Sequence, residues 1–147
     1  MGLFSKRYIS RSEEARVVAA IGDAERDNRG EVHVHLEAHY RGDGPLARAG
    51  ELFVEHGLDR TAEGTGVLLY VAVLDRKVAV YAGEGLYGAM APGFWQDAVD
   101  AVAEGFKRGD RAGGLVTALT AIGERLREVA AGEDVHGNEL PNRVTFS

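Results

Sequence analysis

The chain has 147 residues, 45% hydrophobic and 27% charged, which suits one globular domain with a sizeable core. Its 23 acidic residues against 17 basic ones leave a net charge of −6, which argues against a nucleic-acid partner, because a phosphate-binding face needs clustered Lys and Arg. Cysteine is absent, which excludes disulfides, thiolate metal sites and cysteine nucleophiles.

Residues 1–10 read as an N-terminal extension. Met1 to Arg7 leads into no apolar run, and Lys6 stands where a myristoylation signal wants Ser or Thr. Ser10 and Glu13 have capping-box spacing, so a helix opens there. Ala15, Val18, Ile21 and Ala24 recur at helical spacing and predict its apolar face. Asp27-Asn28-Arg29-Gly30 reads as its stop, with Gly30 free to turn left-handed. Glu31 to Tyr40 alternates. Val32, Val34, Leu36 and Ala38 point one way, and Glu31, His33, His35, Glu37 and His39 the other, which predicts a strand with one buried face. Arg41 to Pro45 is a turn, with Pro45 suited to the first position of a helix. Leu46, Ala49, Leu52 and Phe53 make that helix's apolar face, and Gly57 ends it.

Val67 to Leu74 is one continuous apolar run. A strand apolar on both faces belongs inside a sheet covered on both sides. The run is far too short to cross a bilayer, so no transmembrane segment and a cytoplasmic location are expected. Asp75-Arg76 makes a tight turn into a second strand, Lys77 to Ala82, as a hairpin. Two helices follow Gly83 to Gly88. One carries Trp95, Val99, Val102 and Phe106 and stops near Gly109. The other begins near Asp110 and carries Leu115, Leu119, Ile122, Leu126 and Val129. Residues 132–147 show no period and read as a tail packed on the surface. The order α-β-α-β-β-α-α predicts an α/β fold, a three-layer α/β/α sandwich on a mixed sheet of three to four strands, over residues 11–131.

Several segments together resemble the TPM domain family. They are Gly30-Glu31-Val32, Gly66-Val67-Leu68-Leu69, Asp75-Arg76-Lys77, Gly83-Glu84-Gly85-Leu86, Phe106-Lys107-Arg108-Gly109-Asp110 and Gly114-Leu115. The resemblance spans roughly residues 12 to 147, and Asn138-Glu139-Leu140-Pro141 is similar to the ending of a short bacterial branch. It implies the same sandwich and a divalent-cation site, usually calcium, at the loop edge of the sheet. It also implies an accessory or assembly role through a protein partner, and for some members a weak acid phosphatase activity. Many bacterial relatives carry a signal peptide and a membrane tail, so membrane association belongs to what the resemblance implies, although this chain shows neither segment.

A hard cation, calcium or magnesium, wants several oxygens in one place. In parallel sheets the loops after strands gather at one edge. Glu84 in the glycine loop and Asp110 between the last helices are the first candidates. Asp43, after the first strand, and Asp75, in the hairpin turn, come behind them. Asp110 also suits a helix cap, and Asp75 also shapes its turn. The acids from Asp134 to Glu139 do not keep EF-hand spacing.

Gly83-Glu84-Gly85-Leu86-Tyr87-Gly88 matches the dinucleotide fingerprint in letters only. Pro92 lies just beyond, Glu84 would oppose a phosphate, and no later strand carries a ribose-binding acid, so nucleotide binding is rejected. His33, His35 and His39 with Glu31 and Glu37 have the types and spacing for zinc or copper. A polar strand face near a sheet edge is the commoner explanation for such a pattern. Phe94 and Trp95 sit at helical spacing with Val99 and Val102, which favours core packing over a sugar or base platform. There is no Gly-x-Ser-x-Gly elbow and no Asp-x-Asp pair. Any phosphoester hydrolysis would therefore be metal-assisted, with Glu84 or Asp110 positioning water.

Overall fold

A computed structural model describes residues 8–86, 89, 91, 93–133 and 140–147. Most of the N-terminal extension, Tyr87, Gly88 and Pro92 of the glycine loop and its approach, and the acids Asp134 to Glu139 lie outside the described residues. Helix α1 (Arg11–Ala24) begins as its capping box dictates. The Glu13 N–H donates to Ser10 Oγ at 3.1 Å, and the Ser10 N–H donates to Glu13 Oε1 at 2.7 Å. The buried face is Val17, Ala20, Ile21 and Ala24. Ala15 of the predicted stripe is exposed and Val18 only half-buried, so the face is turned by about one residue. After the helix the left-handed residue is Asp27, at φ 61°, not Gly30. Gly30 answers a different need. A Cβ there would lie 2.7 Å from Leu126 Cδ1, so the missing side chain lets the last helix close over the start of the sheet.

The remaining elements are β1 (Glu31–Glu37), α2 (Pro45–Glu55), β2 (Gly66–Ala72), β3 (Lys77–Ala82), α3 (Gln96–Lys107), α4 (Arg111–Val129) and β4 (Val144–Phe146). The sheet order is β3-β2-β1-β4. β1 and β2 run parallel, from Glu31 opposite Gly66 to Glu37 opposite Ala72. β2 and β3 form the predicted hairpin, with Arg76 at φ 56° in its turn. β4 is parallel to β1, with Val34 opposite Val144 and Leu36 opposite Phe146. The tail therefore does more than lie on the surface, because its end completes a four-stranded mixed sheet and buries Val144.

Helices α1, α3 and α4 cover one face of the sheet, packed on Val32, Val34, Leu36, Val67, Leu69 and Val71. Helix α2 covers the other, over Leu68, Tyr70, Ala72 and Ala79. The apolar run of β2 is thus buried on both faces, as its composition requires. Each fully buried Leu or Ile contributes about 1.5–3 kcal/mol of transfer free energy. Trp95, with its edge against Phe94, belongs to the larger core cluster. Helices α3 and α4 meet at Gly105 and Gly114, where a Cβ on Gly105 would fall 2.3 Å from the Gly114 Cα. Among the described residues no helix is long and apolar enough to cross a membrane.

Candidate functional site

The alternating face of β1 is not a solvated edge. β1 lies inside the sheet, and Glu31, His33, His35 and Glu37 are all buried. Helix α2 and the C-terminal strand cover them. Arg48 of α2, which is 5% exposed, donates Nε to Glu37 Oε2 at 2.9 Å and Nη2 to Glu37 Oε1 at 3.1 Å. The Tyr70 hydroxyl donates to Glu37 Oε2 as well. Burial pushes the Glu37 carboxyl up, but these bonds and one from Ser147 outweigh it and hold the pKa at about 2. Burial, and after it the same carboxylate, raise the Tyr70 phenol, and the Glu37 bond raises Arg48.

An ionised Glu37 only accepts, and that fixes a chain of donors. Ser147 Oγ donates to Glu37 Oε1 at 2.8 Å. Its oxygen then accepts from His35 Nε2 at 2.7 Å, so His35 Nδ1 is an acceptor for Thr145 Oγ1 at 2.6 Å. Thr145 in turn accepts from His33 Nε2 at 3.0 Å. Both imidazoles are neutral in this arrangement. Burial, reinforced by the neighbouring His56, lowers His33 to about 3 and His35 to about 4. His56 stacks on His33 with ring centroids 4.7 Å apart. Along the chain His33–Thr145–His35–Ser147–Glu37 each donor meets an acceptor, with Ser147 Oγ committed to Glu37, whereas His56 Nε2 is buried without a hydrogen-bond partner among the described residues. The sequence reading missed Arg48, Tyr70, His56, Thr145 and Ser147. The available signal was Glu37 itself, since a carboxylate on an interior strand calls for a buried cation.

His39 is not part of that cluster. It lies beyond the end of β1, two-thirds exposed, with Nδ1 2.8 Å from Asp75 Oδ1. The three histidines therefore do not converge. No group of three or more His, Cys, Asp or Glu arranged to hold a metal occurs among the described residues.

The four candidate carboxylates divide between the two ends of the sheet. Asp75 and Asp43 follow the C-terminal ends of the parallel strands β2 and β1. Asp75 Oδ2 accepts from the Tyr40 N–H at 2.9 Å, and the His39 bond, followed by this one, lowers its pKa. Asp43 is exposed. Asp110 caps α4, accepting from the Gly113 N–H at 3.0 Å. The next residue, Arg111, donates to the Tyr8 carbonyl, and the Tyr8 hydroxyl donates to the Ser147 carbonyl just past β4, so Asp110 belongs to this same edge. Glu84 does not. β3 runs antiparallel, so its end returns to where β2 begins. There the Gly83 N–H donates to the Gly66 carbonyl and the Gly85 N–H to the Gly64 carbonyl, each at 2.8 Å. A Cβ on Gly85 would fall 1.9 Å from the Glu63 carbonyl oxygen, so this glycine permits a close backbone contact between two loops. The single edge joining Glu84 to Asp110 that the sequence suggests is not what the fold builds.

A mixed sheet between helices, with one closing strand from the C-terminus, defines an α/β/α sandwich of a particular topology. The sequence model of the TPM domain matches residues 5–125. The BA42 protein of the psychrophilic bacterium Bizionia argentinensis superposes with a TM-score of 0.83 at 31% identity, over 97% of both chains. This chain belongs to the TPM domain family. The N-terminal domain of a protein from P.gingivalis (TM-score 0.66, 23% identity, 82% of this chain and 78% of that one) shares the fold. So does the N-terminal domain of the cg2496 protein of Corynebacterium glutamicum (0.62, 18%, 80% and 74%). No curated protein matches the chain.

Proposed function

We propose that this protein is a TPM-type binding module that takes a divalent cation, calcium or magnesium, weakly at the C-terminal edge of its sheet and works through contacts with a protein partner. The observation that carries the reading is the placement of Asp43, Asp75 and Asp110 on one edge, the place where open α/β sheets bind ligands. Asp110 spends one oxygen on its cap and Asp75 spends both on His39 and Tyr40, so the charge is shared and affinity is modest. Glu84 stands outside this reading, and a cation there would occupy a separate place. Cytoplasmic residence belongs to the same proposal.

Calcium titration by NMR, to about 10 mM, tests it. The amides around Asp43, Asp75 and Asp110 shift together, and Glu84 serves as the internal control. If those three regions stay still, the cation reading fails. A second reading is favoured by one contact, the His39–Asp75 hydrogen bond, which orients an exposed imidazole at the same edge. It is a weak metal-assisted phosphatase, in which the cation polarises the phosphoryl group and His39 moves the proton. Phosphomonoester turnover with magnesium or calcium that survives both His39→Gln and Asp110→Ala rules that mechanism out.

A further inference from the structure

The edge strands of the sheet are β3 and the three-residue β4, and β3 is the longer of the two. The Gly83 N–H donates to the Gly66 carbonyl, so Gly83 and Gly66 form a hydrogen-bonded pair. Counting back in the antiparallel register, Tyr81, Ala79 and Lys77 also turn their backbone groups toward β2. Val78, Val80 and Ala82 then point their N–H and C=O groups away from the sheet, and no other strand lies on that side among the described residues. Such an edge is a template for another extended backbone.

What flanks this edge is apolar. Leu46 and Val54 of α2 are each 57% exposed. They stand four residues either side of Gly50, whose absent Cβ would lie 3.0 Å from the Tyr81 ring. Leu46, Gly50 and Val54 therefore form one stripe along the β3 side of α2. On the opposite face Phe94, Trp95 and Val99 border the same strand, closing a groove of about 280 Å³ with Leu46, Val80 and Tyr81.

We propose that this edge pairs with the same edge of a second copy, β3 against β3 about a two-fold axis at Val80. The symmetry of the free groups argues for it. An antiparallel pairing centred on Val80 sets Val80 against Val80 and Val78 against Ala82 in both directions, so every outward N–H and C=O finds a partner. The helix spacing agrees. Helix α2 packs on both β2 and β3. With strands about 4.8 Å apart, a helix axis midway between β2 and β3 lies about 2.4 Å inside β3. Across the axis the two α2 helices are then about 9.6 Å apart, within the 8–10 Å of ordinary helix packing. Gly50 lies beside Tyr81, one residue from the axis, which sets Leu46 against Val54 of the second copy. The proposal is independent of the cation reading.

Light scattering and amide exchange between about 10 µM and about 1 mM test it. The mass rises from 15.8 kDa toward twice that value, and exchange at Val78, Val80 and Ala82 slows with concentration. Val80→Pro removes an outward N–H that the monomer does not use, so it abolishes the dimer while the far-ultraviolet spectrum is kept. Val54→Glu weakens the dimer, and Leu46→Lys added to it restores the dimer by placing opposite charges across the axis. A mass of one chain at every concentration with unchanged exchange at those three amides overturns the proposal. So does a Val80→Pro variant that still dimerises. Concentration-independent protection of the edge in a monomer assigns it to another occupant and also refutes the pairing.

Discussion

Arg48→Met gives the most informative perturbation of this fold. Arg48 and Glu37 are each 5% exposed and share two hydrogen bonds. Removing the guanidinium leaves the carboxylate with Tyr70 and Ser147 as donors and burial unopposed by any cation. Breaking such a pair costs about 3–5 kcal/mol. An independent bound comes from protonation. Glu37 escapes its burial by taking a proton, and at pH 7 that costs about 1.4 kcal/mol for each of the 2.5 units above its ordinary value of 4.5, or about 3.5 kcal/mol. The two figures agree, and they stand against a total stability of about 5–15 kcal/mol. The melting temperature should fall by about 6–20 °C. The second argument also gives a signature. The deficit relative to the unmodified protein should shrink by about 1.4 kcal/mol per unit as pH is lowered from 7 toward 5, because the escape becomes cheaper. Urea unfolding followed by circular dichroism at pH 7, 6 and 5 measures it. Adding Glu37→Gln should remove most of the pH-dependent part. A deficit below about 1 kcal/mol at pH 7, or one that does not change with pH, means that the uncompensated charge is not what the variant exposes.

The unmodified protein should lose stability on acidification. His33 and His35 titrate at about 3 and 4 when folded but near 6.5 when unfolded, so the unfolded chain binds more protons below pH 6.5. Stability is whole above that pH and falls between 6.5 and 4 by up to about 2.7 kcal/mol per unit, two groups at about 1.36 each. Glu37, depressed from 4.5 to about 2, adds a further loss below pH 4.5. A flat stability profile from pH 7 to 5 contradicts neutral buried imidazoles. Thr145→Val removes the hydroxyl that joins both rings and should cost about 2–4 kcal/mol, whereas Thr145→Ser should cost less than half of that in the same urea titration. Gly105→Ala should destabilise by about 2 kcal/mol or more despite alanine's better helix propensity, because its Cβ meets the Gly114 backbone; a stabilised variant in thermal melting would show that α3 and α4 separate freely.

Where the sequence was informative, its signals were local. The capping box at Ser10, Pro45 at the start of α2, the left-handed Gly57 and Gly109, and the wholly apolar β2 each declare themselves within a few residues. β4 did not, because three residues show no period and its strand character comes from pairing with β1. The histidine face was misplaced for a related reason. Alternation says that two faces of a strand differ, but not what later covers the polar one. Arg48 lies 11 residues from Glu37, and Thr145 and Ser147 lie 110 or more from the histidines they bond. The carboxylate edge is a different case, because its division was implicit in the hairpin. A strand that turns back at Asp75-Arg76 must end beside the start of its partner. The loop after β3 therefore belongs with Gly64 and Gly66, and Glu84 with it, while the loops after β1 and β2 stay together at the other end. Following the chain direction through the turn separates Glu84 from Asp43 and Asp75 on the sequence alone, whereas Asp110 is assigned to their edge by the Arg111–Tyr8 and Tyr8–Ser147 bonds.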